Sequence, residues 1–397
     1  MTEKKIKICN GRVLAPFGII PKGTVLIFGE KITAISEGDI EISDVLVIDA
    51  EGKYISPGFI DIHIHGGGGA DFMDGDAEAF LKIAETHARY GTTAMTPTTL
   101  SSDTESLFNS LRVYEAAVEK NFLGSDFLGM HFEGPYFAMS QRGAQDPKYI
   151  RDPDAEEYKA VIASSKSIAR WSAAPELKGA LEFGQYLRKH GIRAAIAHTD
   201  AVYEEVLKAV ESGYNIVTHL YSAMSGVSRK NAFRYAGVIE SAFLIDEMFA
   251  EVIADGVHLP APLLKLVYKI KGADRIALVT DAMRAAGGQE GESILGNKQH
   301  GIKVIVEDGV AKMPDRTSFA GSVATADRLV RNMINLAEIP LTDAVKMMTA
   351  TPAAIMKISD RKGTLAKGKD ADIVIFDEQI NVCLTMVKGR IVFNSCT

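Results

Sequence analysis

The sequence predicts an α/β protein: a (β/α)8 barrel of the TIM type, with a small β-sandwich built from both chain ends. Three observations carry this. Eight short apolar runs between Phe59 and Asp281 alternate with several helix-like segments. Both ends of the chain are β-rich and offer no helix of useful length. The polar residues of the middle collect where the eight runs end, and that is the mouth at which such barrels do their chemistry. At 397 residues the chain exceeds what one small core holds. The expected division is a discontinuous sandwich, 1–54 with 359–397, around a barrel over 55–358.

Taken in order, Ile6–Ile8, Thr24–Ile27 and Val45–Ile48 read as strands, with turns at Asn10-Gly11 and Gly29–Lys31. Phe59–Ile64, between Pro57-Gly58 and four consecutive glycines, reads as the first buried parallel strand. Asp76 caps a helix whose apolar face is Phe80, Ile83, Ala84 and Ala88. Thr92–Thr98 is the second strand. Ser102 and Glu105 form a capping-box pattern opening a helix with Leu107, Leu111, Tyr114 and Val118. Phe127–Glu133 is the third strand, stopped by Gly134-Pro135. Ile168–Ala174, Arg193–His198, Asn215–His219, Ala250–Gly256 and Arg275–Asp281 complete the eight, with helical segments such as 179–190, 203–211 and 261–270 between them. A hairpin around Val304–Met313 and helices near 322–337 and 341–357 follow. Ala371–Phe376, Val382–Val387 and Arg390–Phe393 return to the β-rich texture of the N-terminus. The repetition is one of pattern; no repeat of sequence accompanies it.

Hydrophobic content of 47% with 24% charged residues suits a soluble enzyme. A net charge of −7 argues against general nucleic-acid binding. No stretch approaches the roughly 18 apolar residues of a membrane span, and no signal-peptide pattern is visible at the N-terminus. Cys9, Cys383 and Cys396 are odd in number and lack metal-type spacing, which fits a reducing cytoplasm. The expected partner is a small molecule, with no nucleic acid and no membrane.

His63 and His65 are two apart on a strand, so both imidazoles share a face, with Asp61 two residues earlier on it. The strand ends further carry Glu133, His198, His219, His258 and Asp281. Each has a plain structural alternative. His198 or His219 suits a hydrogen-bonded core position, Asp281 a helix N-cap, Glu133 a salt bridge with Arg142. Their convergence on one mouth favours a metal site. Imidazole and carboxylate donors suit one or two divalent ions of the zinc or iron type. An unligated Asp281 beside them can carry a proton during hydrolysis of an amide or related bond.

Pro57-Gly58-Phe59-Ile60-Asp61-x-His63-x-His65, Thr280-Asp281-Ala282 and the two β-rich ends resemble the amidohydrolase superfamily. Within it, His131–Tyr136, Arg142–Gln145, Ala197–Thr199, Thr218–Met224, Asp255–His258, Ala320–Ser322 and Gly363–Asp372 are similar to deacetylases of N-acetyl amino-sugar phosphates. The resemblance covers essentially the whole chain. It implies removal of acetyl from N-acetylglucosamine-6-phosphate, or from a related sugar such as N-acetylgalactosamine-6-phosphate, in a homodimer. It implies one metal on Glu133, His198 and His219, and a second held by His63 and His65. Glu133 stands in for the carbamylated lysine of other members; the fourth strand here ends without a lysine. Asp281 is implied as base and then acid, and His258 as the group that polarises or positions the acetyl carbonyl. Ala144, Gln145, Ala223 and Phe319 match substrate-contact positions. The phosphate is expected near Gln145 and the loop after strand six. Two departures stand out there. Ser222 replaces an asparagine, and a segment with Arg229, Lys230 and Arg234 replaces Arg-Glu-Pro-Gly.

The rivals are a dihydroorotase-like hydrolase, a deaminase, and a silent sugar-phosphate binder. The first needs the missing lysine, the second a glutamate near His198, and the third the loss of a ligand. Gly66–Gly69 lacks a following Lys-Ser/Thr and so reads as a mobile active-site loop. Ala285–Gly288 reads likewise, and Met347-Met348 as core.

Overall fold

The computed structural model describes residues 4–396. Strands from both ends share one mostly antiparallel eight-stranded sheet, folded as a β-sandwich. Lys5–Ala15, Gly18–Phe28, Lys31–Glu37, Leu46–Asp49 and Tyr54–Pro57 come from the N-terminal side. Ile373–Phe376, Val382–Val387 and Arg390–Asn394 come from the other end. The seam is antiparallel pairing of Tyr54–Pro57 with Ile373–Phe376. Inward residues of both ends, among them Ile6, Ile8, Val25, Ile55, Ile373 and Leu384, make one separate core. Alternation along each strand puts these on one face. Cys383, on the strand Val382–Val387, and Cys396, just past the last strand, form a disulfide. Their spacing does not foretell this pairing, and the cysteine pattern therefore lends no support to a reducing compartment.

Between these ends lies the barrel. Phe59–Ile64, Thr92–Thr99, Met130–Glu133, Ile168–Ala173, Arg193–Ile196, Tyr214–Val217, Phe249–Val252 and Ile276–Leu278 follow one another as parallel neighbours. Strands covered on both faces need continuous apolar runs, and every residue of Phe59–Ile64 is buried. The eighth and first strands close the ring just beyond their ends. Asp281 N–H donates to the His63 carbonyl and His65 N–H to that of Ala282, both at 2.9 Å. No helix among the described residues is long and apolar enough to cross a membrane.

Several local expectations shift. The second helix runs Thr104–Val118, and its cap is Asp103, which accepts from Ser106 N–H at 2.8 Å, in place of Ser102. A helix over Ala155–Ser164, capped by Asp154, was not legible. The segment 341–357 breaks at Thr349 into Leu341–Met348 and Ala350–Ile355. Val304–Met313 belongs to a four-stranded sheet with Gly291–Leu295 and Phe319–Ser322 on its edges.

The glycine run is stitched down. Gly66-Gly67 pairs with Ala70-Asp71, and Gly68 and Gly69 donate to the carbonyls of Ala286 and Arg284, each at 2.8 Å. A Cβ on Gly67 would meet His87 Nε2 at 2.5 Å, so this position requires glycine. His87 lies in the helix Ala77–Ala88, fully buried, with Nε2 at 3.0 Å from the Gly66 carbonyl.

Burial lowers the His87 imidazole to about 4. It is neutral when folded, whereas the unfolded chain takes up the proton below about 6.5. Stability is therefore lost as pH falls from about 6.5 to 4, by roughly 3 kcal/mol from this group. Urea midpoints of wild type and His87→Gln, measured at pH 7 and pH 4.5, should show a smaller acid loss in the variant. Equal losses would show that His87 does not titrate in this way.

Candidate active site

The site is assembled at the carboxyl ends of the barrel strands. His63 comes from the first strand and His65 from just past it, Glu133 from the third, and His198, His219 and Asp281 from just past the fifth, sixth and eighth. His198, His219 and Asp281 have φ of +47°, +30° and +48°, and Tyr221 and Ala223 on the same rim have +79° and +49°. Left-handed backbone at residues other than glycine is costly and gathers where a site over-determines it. Here it turns the chain sharply as each strand leaves the barrel.

Glu133 is the hub. Its Oε1 lies 3.0 Å from His219 Nε2, 3.3 Å from His198 Nε2 and 3.5 Å from His63 Nε2. Its Oε2 lies 3.4 Å from His65 Nε2 and accepts from Gln145 Nε2 at 2.8 Å. Two triads result, His63–His65–Glu133 and Glu133–His198–His219, each with its donor atoms within 4.8 Å of one another. Asp281 Oδ1 is 3.1 Å from His65 Nε2. No ion pair joins Glu133 to Arg142. Asp61 belongs to neither triad: it is buried and accepts from the Thr280 hydroxyl and backbone N–H.

The donors fit a divalent metal. His198 Nδ1 is 2.8 Å from the Gln141 carbonyl, which can only accept, so its proton sits on Nδ1. His63 Nδ1 faces the Glu251 carboxylate at 3.2 Å, with the same consequence. Both Nε2 atoms then point bare lone pairs at the carboxylates, an arrangement that calls for a cation. His63 Nε2 and His65 Nε2 stand 3.2 Å apart. Burial disfavours a charged His65, yet Asp281 and Glu133 push it up to about 10, a measure of how strongly this spot attracts positive charge. Burial alone would raise Glu133 as well, but the surrounding imidazoles hold it ionised, well below the usual carboxylate range. Three protein donors per triad leave room for water and substrate, as at catalytic zinc sites.

Under the cluster lies a polar layer that sequence reasoning missed. Glu251 on the seventh strand pairs with Arg170 on the fourth; both are fully buried. Arg170 also donates to the Ile62 carbonyl at 3.2 Å and the Thr218 hydroxyl at 3.0 Å. His131 bonds Ser172 at 2.7 Å and Thr98 at 3.2 Å. The available signal was a charged residue inside each of two otherwise apolar strand runs.

Above the cluster opens a cavity of about 300 Å³, large enough for a small ligand. Ala144, Gln145, Ser222, Ala223, His258 and Phe319 line it together with His65, Glu133, His198, His219 and Asp281. Asp255 bonds His258 Nδ1 at 2.7 Å, leaving Nε2 free. The His258 ring packs on Phe319 at 4.6 Å. Gln145 is held by Ser101 N–H at 2.8 Å. Arg229 and Arg234 are placed elsewhere. They face each other across an exposed hairpin, Ser228–Lys230 with Phe233–Tyr235, and do not line this cavity.

A barrel closed against a sandwich of both termini, with imidazoles and carboxylates at its mouth, defines a metal-dependent hydrolase architecture. The sequence pattern of the amidohydrolase family matches residues 54–392, and the chain belongs to that family. It is 35% identical over 362 residues to an N-acetylglucosamine-6-phosphate deacetylase of Lysinibacillus sphaericus, covering 91% of each chain. It is 30% identical over 353 residues to an N-acetylgalactosamine-6-phosphate deacetylase of Escherichia coli O157:H7, covering 89% of this chain and 91% of that one. The crystal structure of N-acetylglucosamine-6-phosphate deacetylase from Pasteurella multocida superposes with a TM-score of 0.91 at 27% identity, over 98% of this chain and 99% of that one.

Proposed function

We propose that this protein hydrolyses the acetamide of an N-acetyl amino-sugar phosphate, with N-acetylglucosamine-6-phosphate first and N-acetylgalactosamine-6-phosphate as the related alternative. One observation carries the reading: Glu133 is shared by two donor triads beside Asp281, at the floor of a cavity sized for a small ligand. Glu133, His198 and His219 would hold one ion and His63 and His65 a second, with zinc or iron suited to these donors. A bound divalent ion supplies Lewis acidity, polarising a carbonyl and acidifying water. Burial would raise the Asp281 carboxyl, but His63 and His65 hold it below the ordinary aspartate range. It is thus ionised at neutral pH and can accept the proton of the attacking water. The C–O bond forms, the C–N bond breaks, and Asp281 returns the proton to the departing amine. His258, held through Nδ1 by Asp255, turns Nε2 toward the cavity and would position the acetyl group there.

A charged phosphorylated substrate does not cross membranes freely, which supports a cytoplasmic location. The test is acetate release from both sugar phosphates by protein of measured metal content. Loss of acetate release on both would reject the reading; their ratio assigns the sugar.

The phosphate falls to Arg229 and Arg234, through charge-assisted bonds. Their hairpin is exposed and carries Val227, Phe233 and Tyr235, also exposed, beside the arginines. This supports a homodimer in which the hairpin reaches the partner's mouth. Arg229→Gln with Arg234→Gln should raise KM for the phosphorylated sugar about tenfold or more, with little change for the unphosphorylated one. Equal effects on both sugars would show that the hairpin does not read the phosphate.

A further inference from the structure

We propose that the buried Arg170–Glu251 pair is a positioning device for His63. It holds that imidazole in the tautomer and orientation that complete the His63–His65–Glu133 triad. The inference rests on the two-ion reading above and adds what sets the second triad up. The Glu251 carboxylate spans three groups. One oxygen takes Arg170 Nη1; the other lies 3.2 Å from His63 Nδ1 and accepts His219 N–H at 3.4 Å. A carboxylate can only accept, so the His63 proton is drawn to Nδ1 and Nε2 is left as a lone pair facing Glu133 and Asp281. Glu251 thus touches the side chain of His63 in one triad and the backbone of His219 in the other, and the latter bond steadies that strongly turned residue.

Arg170 fixes the carboxylate in turn. Its guanidinium is anchored to the Ile62 carbonyl and the Thr218 hydroxyl, one residue before His63 and His219 respectively. The pair therefore grips the backbone before His63 and the Thr218 side chain before His219, as well as the His63 ring. His131 packs edge-on against His63 with ring centroids 4.8 Å apart, which limits its rotation. An ion pair in a barrel core is costly to bury and weak evidence for stability in its own right. Orientation of a ligand is the role its geometry supports.

Removing Glu251 alone would strand the Arg170 charge in the core, so the test uses double variants. Arg170→Met with Glu251→Leu removes both charge and acceptor. Arg170→Met with Glu251→Gln removes the charges but keeps an acceptor for His63. Zinc titration of metal-stripped protein should show two binding steps in wild type. The leucine variant should weaken the second step about 10–100-fold, the range for losing an outer partner of a ligand. The glutamine variant should recover most of that loss, and in both variants the first step should weaken far less than the second, because only backbone and neighbouring contacts of His219 are touched. Equal second-step affinity in all three proteins, or equal loss in both variants, would overturn the proposal.

An independent measurement needs no variant of the pair. In metal-stripped wild type at alkaline pH, ¹⁵N-histidine spectra assigned with His63→Gln should place the His63 proton on Nδ1. A proton on Nε2 would overturn the proposal even if neither double variant folds. Wild type that binds a single zinc would defeat the two-ion reading instead, while the tautomer measurement still judges Glu251.

Discussion

Replacing Glu133 with glutamine should strip the protein of metal and reduce turnover by at least about 10³-fold. The size of the effect follows from its place in both triads: one carboxylate closes on four imidazoles. Loss of an outer partner costs about 10–100-fold in metal affinity, and loss of a donor common to both positions must exceed that. Glutamine keeps the volume and a neutral oxygen but removes the charge that offsets a buried cation. Metal analysis after dialysis, with circular dichroism to confirm the fold, is the measurement. Glu133→Asp separates charge from reach. Its shorter side chain keeps the carboxylate but cannot hold both triads at 3.0–3.5 Å, so it should retain a fraction of the metal. Full occupancy in Glu133→Gln would mean that the ions are held elsewhere.

Asp281→Asn should behave in the opposite way, keeping metal while losing about 10²–10⁴ in kcat. Asparagine matches the shape but cannot take a proton from water or return one to the amine. Asp281 stands 3.1 Å from His65 and belongs to neither triad, so occupancy should change little. KM should also change little, because proton transfer is made only in the transition state. Near-native kcat in this variant would remove Asp281 from the mechanism. Loss of metal along with rate would recast it as a ligand.

The grouping of these residues at one mouth was already visible in the sequence, and the reason is local. Strand periodicity puts His63 and His65 on one face. A barrel gathers the ends of its strands at one mouth, so Glu133, His198, His219 and Asp281 could be grouped without knowing any distance. The terminal sheet was legible for a similar reason: short alternating runs at both ends, each too short to stand alone, needed one another.

What only the tertiary structure decided is pairing across the barrel. Arg170 and Glu251 are 81 residues apart, and nothing in either strand names the other. Their partnership depends on barrel closure and register, which place one residue from each strand at the same level. Asp61 lies two residues before His63, yet closure delivers Thr280 to it and takes it out of the site. Arg229 and Arg234 follow a site-bearing strand, but a tight antiparallel hairpin carries them out to solvent. Periodicity is a property of a few neighbouring residues and survives in the sequence alone. The direction a loop takes and the partner a buried charge finds are properties of the closed barrel, set by contacts between residues far apart in the chain.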